Sequence, residues 1–270
     1  MNNRKLPNAA PIHDEWVPIY FLHIPKTAGT TFNRFLEAHF DSNDVCPAHL
    51  WRELITLPKE EVSCRRLIWG HFYSFLYKYV PDPFRYVVFL RDPIERALSH
   101  YGHILKYTGH YFHQRAVELG SFSAFLRDPE MATTVTNFQL RSLALDPDPN
   151  TFVAPLTAQQ LASGELERRL LTAPFDRPVV DMLEIAKLRL RQMCFVGITE
   201  RYDESIELFC RRFQWPRPET TAALNVNEGR LRRESLSHAD LLHLHEINRA
   251  DYELYDFAHE LFLNDFLKDG

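Results

Sequence analysis

The stretch Ile19-Tyr20-Phe21-Leu22-His23-Ile24-Pro25-Lys26-Thr27-Ala28-Gly29-Thr30-Thr31-Phe32 decides how this sequence is read. Its first four residues form a short apolar run of the kind a buried strand makes, and Pro25 and Gly29 turn it into a loop. From Thr30 onward, Phe32, Phe35, Leu36 and Phe40 recur at helical spacing, so a helix is predicted to follow the loop directly. A strand, a short loop and a helix start gather main-chain N–H groups around one positively polarised point. Gly29 leaves room for an anion to approach, Thr27, Thr30 and Thr31 offer hydroxyl donors, and Lys26 adds a full charge. Two readings fit: a phosphate cradle, or an ordinary strand-to-helix turn carrying an exposed lysine. The stretch is not the GxxxxGK[ST] nucleotide loop, because Lys26 precedes Gly29 and no glycine opens it, which weighs against a kinase or NTPase.

Three more apolar runs read as strands. Residues 66–69 end at Gly70-His71, residues 86–90 end at Arg91-Asp92-Pro93, and residues 194–198 end at Thr199-Glu200. Helical patterns follow at 94–107 and 203–213. Between about 111 and 192 only helical patterns and proline-rich joints occur, at 122–128, 132–145, 157–171 and 179–192. A last helix is expected over 238–262. Strands alternating with helices predict an α/β fold, a mostly parallel sheet flanked by helices. Ligands of such sheets bind beyond the carboxyl ends of the strands. Segments 23–31, 70–71 and 91–99 all sit there, on one edge of the sheet.

The 270 residues suit one large domain, expected over 17–270 behind a loose polar arm at 1–16. Net charge is −5, which argues against a nucleic-acid binder with a broad basic field. Cys46, Cys64, Cys194 and Cys210 form no CxxC pair, so reduced, mostly buried thiols are expected rather than a zinc or redox site. No run nears the about 18 apolar residues of a membrane span, and no signal peptide is recognisable at the start; the expected address is the cytoplasm.

Arg91 and Ser99 open two further readings. The Arg91 fork suits a phosphate, and Ser99, two helical turns on, returns toward it if the strand-to-helix turn is tight. Alternatively Asp92 is an N-cap, Pro93 fills the first helical position, and Arg91 and Arg96 are solvated. His71 is either a general base at the site edge or a turn histidine bonded to backbone.

Residues 23–32, HIPKTAGTTF, resemble the 5′-phosphosulfate loop of sulfotransferases that use 3′-phosphoadenosine-5′-phosphosulfate (PAPS). The resemblance is to the group containing the heparan sulfate 2-O- and 6-O-sulfotransferases and their soluble bacterial relatives. It implies that Lys26 contacts the sulfuryl-bearing phosphate and the bridging oxygen, and that Gly29, Thr30 and Thr31 hold the 5′-phosphate, with Thr27 counted beside them as a cofactor-binding hydroxyl donor of the loop. RDPIERALSHY (91–101) is similar to the family's 3′-phosphate motif, which implies that Arg91 and Ser99 bind that phosphate. FVGITERYDESIELF (195–209) and the weaker NFQLR (137–141) add to the match. The family's Gly-His segment implies that His71 is the base and that Lys26 stabilises the leaving oxygen, with His23 the runner-up base. The resemblance spans about 18–265 and is patchy between 111 and 190.

These readings converge on a PAPS-dependent sulfotransferase acting on a hydroxyl, with 3′-phosphoadenosine-5′-phosphate (PAP) as product, no metal, and a saccharide or small molecule as the expected acceptor. A nucleotide or small-molecule kinase and a non-catalytic nucleotide-binding module are the rivals. The acidic balance weighs against a long polyanionic acceptor. His100, His103, His110 and His113 read as a wet helix face near the acceptor cleft rather than a zinc site. The polar loop at 216–236, with Asn227, Arg230, Arg232 and Arg233, is either a solvated charge cluster or a flap over the nucleotide.

Overall fold

The computed structural model describes residues 17–80, 83–148, 156–219 and 231–268. The expected arm at 1–16, and Asn227 and Arg230, lie outside the described residues. Four strands, β1 (Ile19–Leu22), β2 (Leu67–Gly70), β3 (Arg85–Leu90) and β4 (Phe195–Ile198), form one sheet in the order β2-β1-β3-β4. Every pairing is parallel, with Leu22 beside Gly70 and Val88, and Leu90 beside Ile198. Helices flank the sheet, so the α/β expectation holds. The chain leaves β1 for β2 on one side and returns across β1 to β3 on the other. That reversal opens a crevice at the carboxyl ends of β1 and β3.

The centre of the sheet is aromatic because helix Gly29–Glu37 turns back over β1. Phe32 is wholly buried and meets Phe21, Phe89 and Phe209 edge-on, with ring centroids 4.9, 4.8 and 5.2 Å away. Burying one such ring is worth roughly 1.5–3 kcal/mol, and each edge-to-face pair about 0.5–1.5 kcal/mol more. This packing fixes where the helix starts, and so where its N–H groups stand. All four cysteines are free thiols, three of them buried and Cys64 exposed. No helix among the described residues is long and apolar enough to cross a membrane.

Three predicted helices are broken. The pattern at 132–145 divides before Phe138–Ala144 at Asn137, whose φ of 42° is left-handed. The pattern at 157–171 divides at Gly164, whose φ of 77° is left-handed, into Ala158–Ala162 and Glu165–Thr172. The last helix divides into His238–Ile247 and Arg249–Lys268 at buried Asn248. Asn248 Nδ2 donates to the Leu244 carbonyl, and its Oδ1 accepts the Asn137 N–H, each at 3.1 Å. Asp251 then accepts the N–H groups of Gln139 and Leu140, at 3.0 and 2.7 Å, at the start of helix Phe138–Ala144. The break lets one helix start cap another, a contact that periodicity alone does not reveal.

Candidate active site

A cavity of about 900 Å³ lies at the carboxyl ends of the strands. Lys26, Gly29, Thr30, Thr31, His71, Arg91 and Ser99 all line it, so seven of the eight predicted site residues share one space. Thr27 does not. It is fully buried behind the loop, and its hydroxyl donates to the Ile24 carbonyl at 2.9 Å. The predicted hydroxyl ligand is, by its side chain, a brace of the turn.

The loop after β1 is tightly wound. Lys26 (φ 74°) and Ala28 (φ 63°) are both left-handed, which costs roughly 1–2 kcal/mol each for residues with a Cβ. Ala28 occupies the N-cap of helix Gly29–Glu37, and no side chain among the described residues caps that end. Gly29 is glycine for a reason the sequence does not display. A Cβ there would lie 1.7 Å from His23 Nε2, so the His23 ring fills the space a side chain would need.

His23 packs on Phe21, with ring centroids 5.3 Å apart, and its buried Nδ1 has no hydrogen-bond partner among the described residues. Burial, with the charges of His71 and Lys26 adding, holds its pKa well below the usual histidine range.

His71 follows β2 directly, 4.6 Å from His23 ring to ring. Its main-chain N–H donates to the His49 carbonyl at 2.9 Å. Its Nδ1 lies 2.7 Å from the His23 carbonyl oxygen. That oxygen only accepts, so Nδ1 carries the proton and Nε2 keeps its lone pair. Burial lowers the pKa of His71, and the bond to His23 opposes part of that fall. The result is a neutral imidazole of fixed tautomer lining the cavity.

The second cationic corner is Arg91, just past β3. Asp92 caps the following helix by accepting the Glu95 N–H at 2.9 Å, and Pro93 takes the first helical position. Both predicted features of the turn are present, but Arg96 is not solvated. It is wholly buried, donates to the Thr134 carbonyl at 3.0 Å and lies over the Phe138 ring. Burial pulls its pKa down to about 10. Arg91 Nη1 donates to the Lys26 carbonyl at 3.0 Å, and Glu95 and Glu200 lie 3.9 and 3.7 Å from its guanidinium. Gln139 grips the Arg91 backbone from both sides, Oε1 accepting its N–H at 2.9 Å and Nε2 donating to its carbonyl at 2.8 Å. The NFQLR signature thereby acquires a physical task.

The histidine group separates. His100 lines the cavity but is buried, and neither ring nitrogen has a hydrogen-bond partner among the described residues, so it is not part of a wet face. His103 and His110 line the cavity, each pushed down to about 4, mainly by burial. His113 turns its Nδ1 to the Ile104 carbonyl, 3.0 Å away. Among the described residues, no group of His, Cys, Asp and Glu is arranged to hold a metal ion. Arg232 and Arg233 line the cavity, and Arg233 lies 3.7 Å from Asp92 and 3.0 Å from His245 Nε2.

Some participants were missed. Glu200 accepts the Asp92 N–H at 3.2 Å, and its place just past β4 was a usable signal. Arg52 and Glu167 line the cavity from segments whose patterns show no chemistry.

The profile of the sulfotransferase family matches residues 12–258. The chain is similar to a protein-tyrosine sulfotransferase of Arabidopsis thaliana, 24% identical over 71% of this chain and 48% of that protein. It is also similar to heparan-sulfate 6-O-sulfotransferase 1-B of Danio rerio, 26% identical over 90% of this chain and 65% of that protein. A third relative is heparan-sulfate 6-O-sulfotransferase 1 of Cricetulus griseus, 27% identical over 90% and 67%. The chain spans about half to two thirds of the length of these relatives.

Proposed function

The chain belongs to the sulfotransferase family, and from that membership we propose that it moves the sulfuryl group of PAPS to an acceptor hydroxyl, with a saccharide as the expected acceptor. The observation that carries the donor is the convergence of two cationic loops on one cavity at the sheet's switch point. The donor set fits a nucleotide with phosphates at both ends. Lys26, Thr30, Thr31 and the helix start at Gly29 suit the 5′ end; Arg91 and Ser99 suit the 3′ end. PAPS supplies an activated sulfuryl group, and its departure leaves PAP.

His71 Nε2 takes the proton of the acceptor hydroxyl. Its lowered pKa keeps it unprotonated at neutral pH, and the His23 carbonyl holds the ring in the required tautomer. Lys26 places its ammonium where negative charge grows as the leaving group departs. The left-handed backbone at Lys26 and Ala28 gives the loop its tight course along the cavity.

The test is a ligand comparison by thermal shift, since whatever binds only the folded state stabilises it. PAP is expected to raise the melting temperature more than AMP, or ATP with Mg²⁺, at equal concentration. A larger shift with ATP and Mg²⁺ would replace this reading with a kinase.

A further inference from the structure

The loop after β2 carries the candidate base and, two residues on, a second side chain that the transfer step does not employ. His71 and Tyr73 both line the cavity, and Phe72 between them is fully buried. Tyr73 has φ 59° and ψ 179°, a backbone conformation that belongs almost wholly to glycine. Its neighbours hold it there. Phe72 and Phe75 are anchored in the core on either side, the Tyr20 hydroxyl donates to the Tyr73 carbonyl at 2.7 Å, and the Ser74 hydroxyl donates to the Leu143 carbonyl at 2.7 Å. A glycine would take this turn without strain, yet a tyrosine stands there. Strain kept in place beside a reaction centre points to a task for the side chain. The hydroxyl is open to a ligand. Tyr73 keeps 7% of its surface exposed, and its hydroxyl, unlike the sealed hydroxyl of Tyr86, retains accessible surface on the cavity. No described residue bonds to it; the hydrogen bond from Tyr20 goes to the main chain. Arg96, Arg141 and Glu167 lie near enough to act on Tyr73, but they are engaged with the Thr134 carbonyl, the Ala173 carbonyl and the Arg52 N–H. Burial pushes the Tyr73 pKa up to about 12, so the hydroxyl keeps its proton and can donate.

We propose that Tyr73 sets acceptor specificity: its hydroxyl donates a hydrogen bond to a second oxygen of the acceptor sugar, one other than the oxygen that His71 deprotonates. This rests on the sulfotransferase reading above. The two side chains stand on one clamped loop, so proton removal and acceptor orientation share a rigid mount. Their hydrogen-bonding roles are complementary. His71 Nε2 offers a lone pair, and Tyr73 offers a proton. An acceptor that satisfies both presents a hydroxyl and, close beside it, another oxygen with a lone pair. Neighbouring oxygens on a sugar ring meet that demand, whereas a lone phenol does not. Tyr111, Leu170 and Leu171 line the same cavity with apolar faces that suit the C–H face of a sugar, and one well-placed polar group then fixes its orientation.

The experiment uses the full chain with labelled PAPS, a panel of short oligosaccharides and a tyrosyl peptide as comparator, and then monodeoxy analogues of the saccharide sulfated fastest. Tyr73→Phe removes the hydroxyl and keeps the ring. It is expected to keep the parent urea midpoint, PAP affinity and pH profile, and to raise the acceptor KM about three- to tenfold with a smaller change in kcat. One monodeoxy analogue, altered at a position that is not sulfated, is expected to raise KM by a similar factor in the parent and by little more in Tyr73→Phe, because both changes delete the same bond. The proposal is overturned by an unchanged acceptor KM in Tyr73→Phe, by losses that simply add for every analogue, or by a drop in PAP affinity or urea midpoint in place of the KM effect. Preference for the tyrosyl peptide, or PAP binding with no saccharide sulfated, also overturns it. Failure of the parent protein to bind PAP is a different result, and it removes the sulfotransferase reading itself.

Discussion

Arg91 Nη1 donates to the main-chain oxygen of Lys26 at 3.0 Å, so the loop after β3 holds the loop after β1 by its backbone. The two phosphate-facing segments are therefore one mechanical unit. Gln139 fixes the Arg91 backbone, and Asp251 fixes the helix start that carries Gln139. The C-terminal helix is thus joined to the phosphate loop through four consecutive hydrogen-bonded residues, Asp251, Gln139, Arg91 and Lys26.

Arg91→Ala removes both a charged donor for phosphate and this brace. PAP affinity is expected to fall at least tenfold, equivalent to about 1.5–3 kcal/mol for a charge-assisted contact. Gln139→Leu leaves the guanidinium in place but frees its backbone. It is expected to weaken PAP binding by a smaller factor, and titration calorimetry on both variants checks the order. If Gln139→Leu binds PAP as the parent does, the clamp plays no part in the site.

Gly29 and His23 form a steric pair, since a Cβ at 29 would sit within the His23 ring. Gly29→Ala is expected to destabilise the fold by about 1–3 kcal/mol, the usual range for overpacking. Gly29→Ala combined with His23→Ala is expected to cost much less than the sum of the single changes, because the obstruction is gone. Urea unfolding of the four proteins measures the coupling. Simple additivity would show that position 29 needs glycine for another reason.

The strands and the anion loop were legible because short apolar runs and helical spacing report burial directly. The places of Lys26, Arg91 and His71 just past strands were legible from the sequence, but position alone left an anion site and ordinary turns both open, and the family resemblance chose between them. What stayed hidden depends on contacts across long separations. Thr27 reads as a ligand, and only the folded loop shows its hydroxyl turned to Ile24. Arg96 reads as a surface cation, and only its carbonyl partner at Thr134 and the Phe138 ring explain how it is buried. The helix break at Asn248 falls inside an unbroken apolar pattern, and the cause lies 111 residues away at Asn137.

Acid lability follows from the buried imidazoles. His23, His71, His100, His103 and His110 all have pKa values lowered, chiefly by burial. The unfolded chain takes up protons near pH 6.5 that the folded chain refuses. Their contribution to stability is therefore complete above about pH 6.5 and is lost as pH falls toward about 4, the value for His103 and His110. Asp251, raised to about 6 by burial, and Glu167 and Glu200, also raised by burial, work in the opposite direction but are fewer than the five imidazoles. Urea midpoints measured between pH 7 and pH 5 are expected to fall, and less steeply in His100→Phe, which removes two buried nitrogens. Identical slopes in parent and variant would show that His100 takes no part in this linkage.

The last expectation separates binding from chemistry at His71. A base that meets only the acceptor proton leaves the nucleotide alone, so His71→Ala is expected to keep PAP affinity while turnover falls about 10²–10⁴-fold. Lys26→Ala is expected to lower both, because its charge meets the phosphosulfate before and during transfer. The pH profile adds a signature. The rate is expected to rise with pH as His71 loses its proton, and burial puts that limb below the usual histidine value of about 6.5 rather than above it. At neutral pH the base is then already free, and the profile is flat on that side. The limb disappears in His71→Ala and stays in His103→Ala, whose ring lines the same cavity. Near-normal turnover in His71→Ala with the limb intact would move the base to another imidazole, and His23, 4.6 Å from it ring to ring, is the next to test.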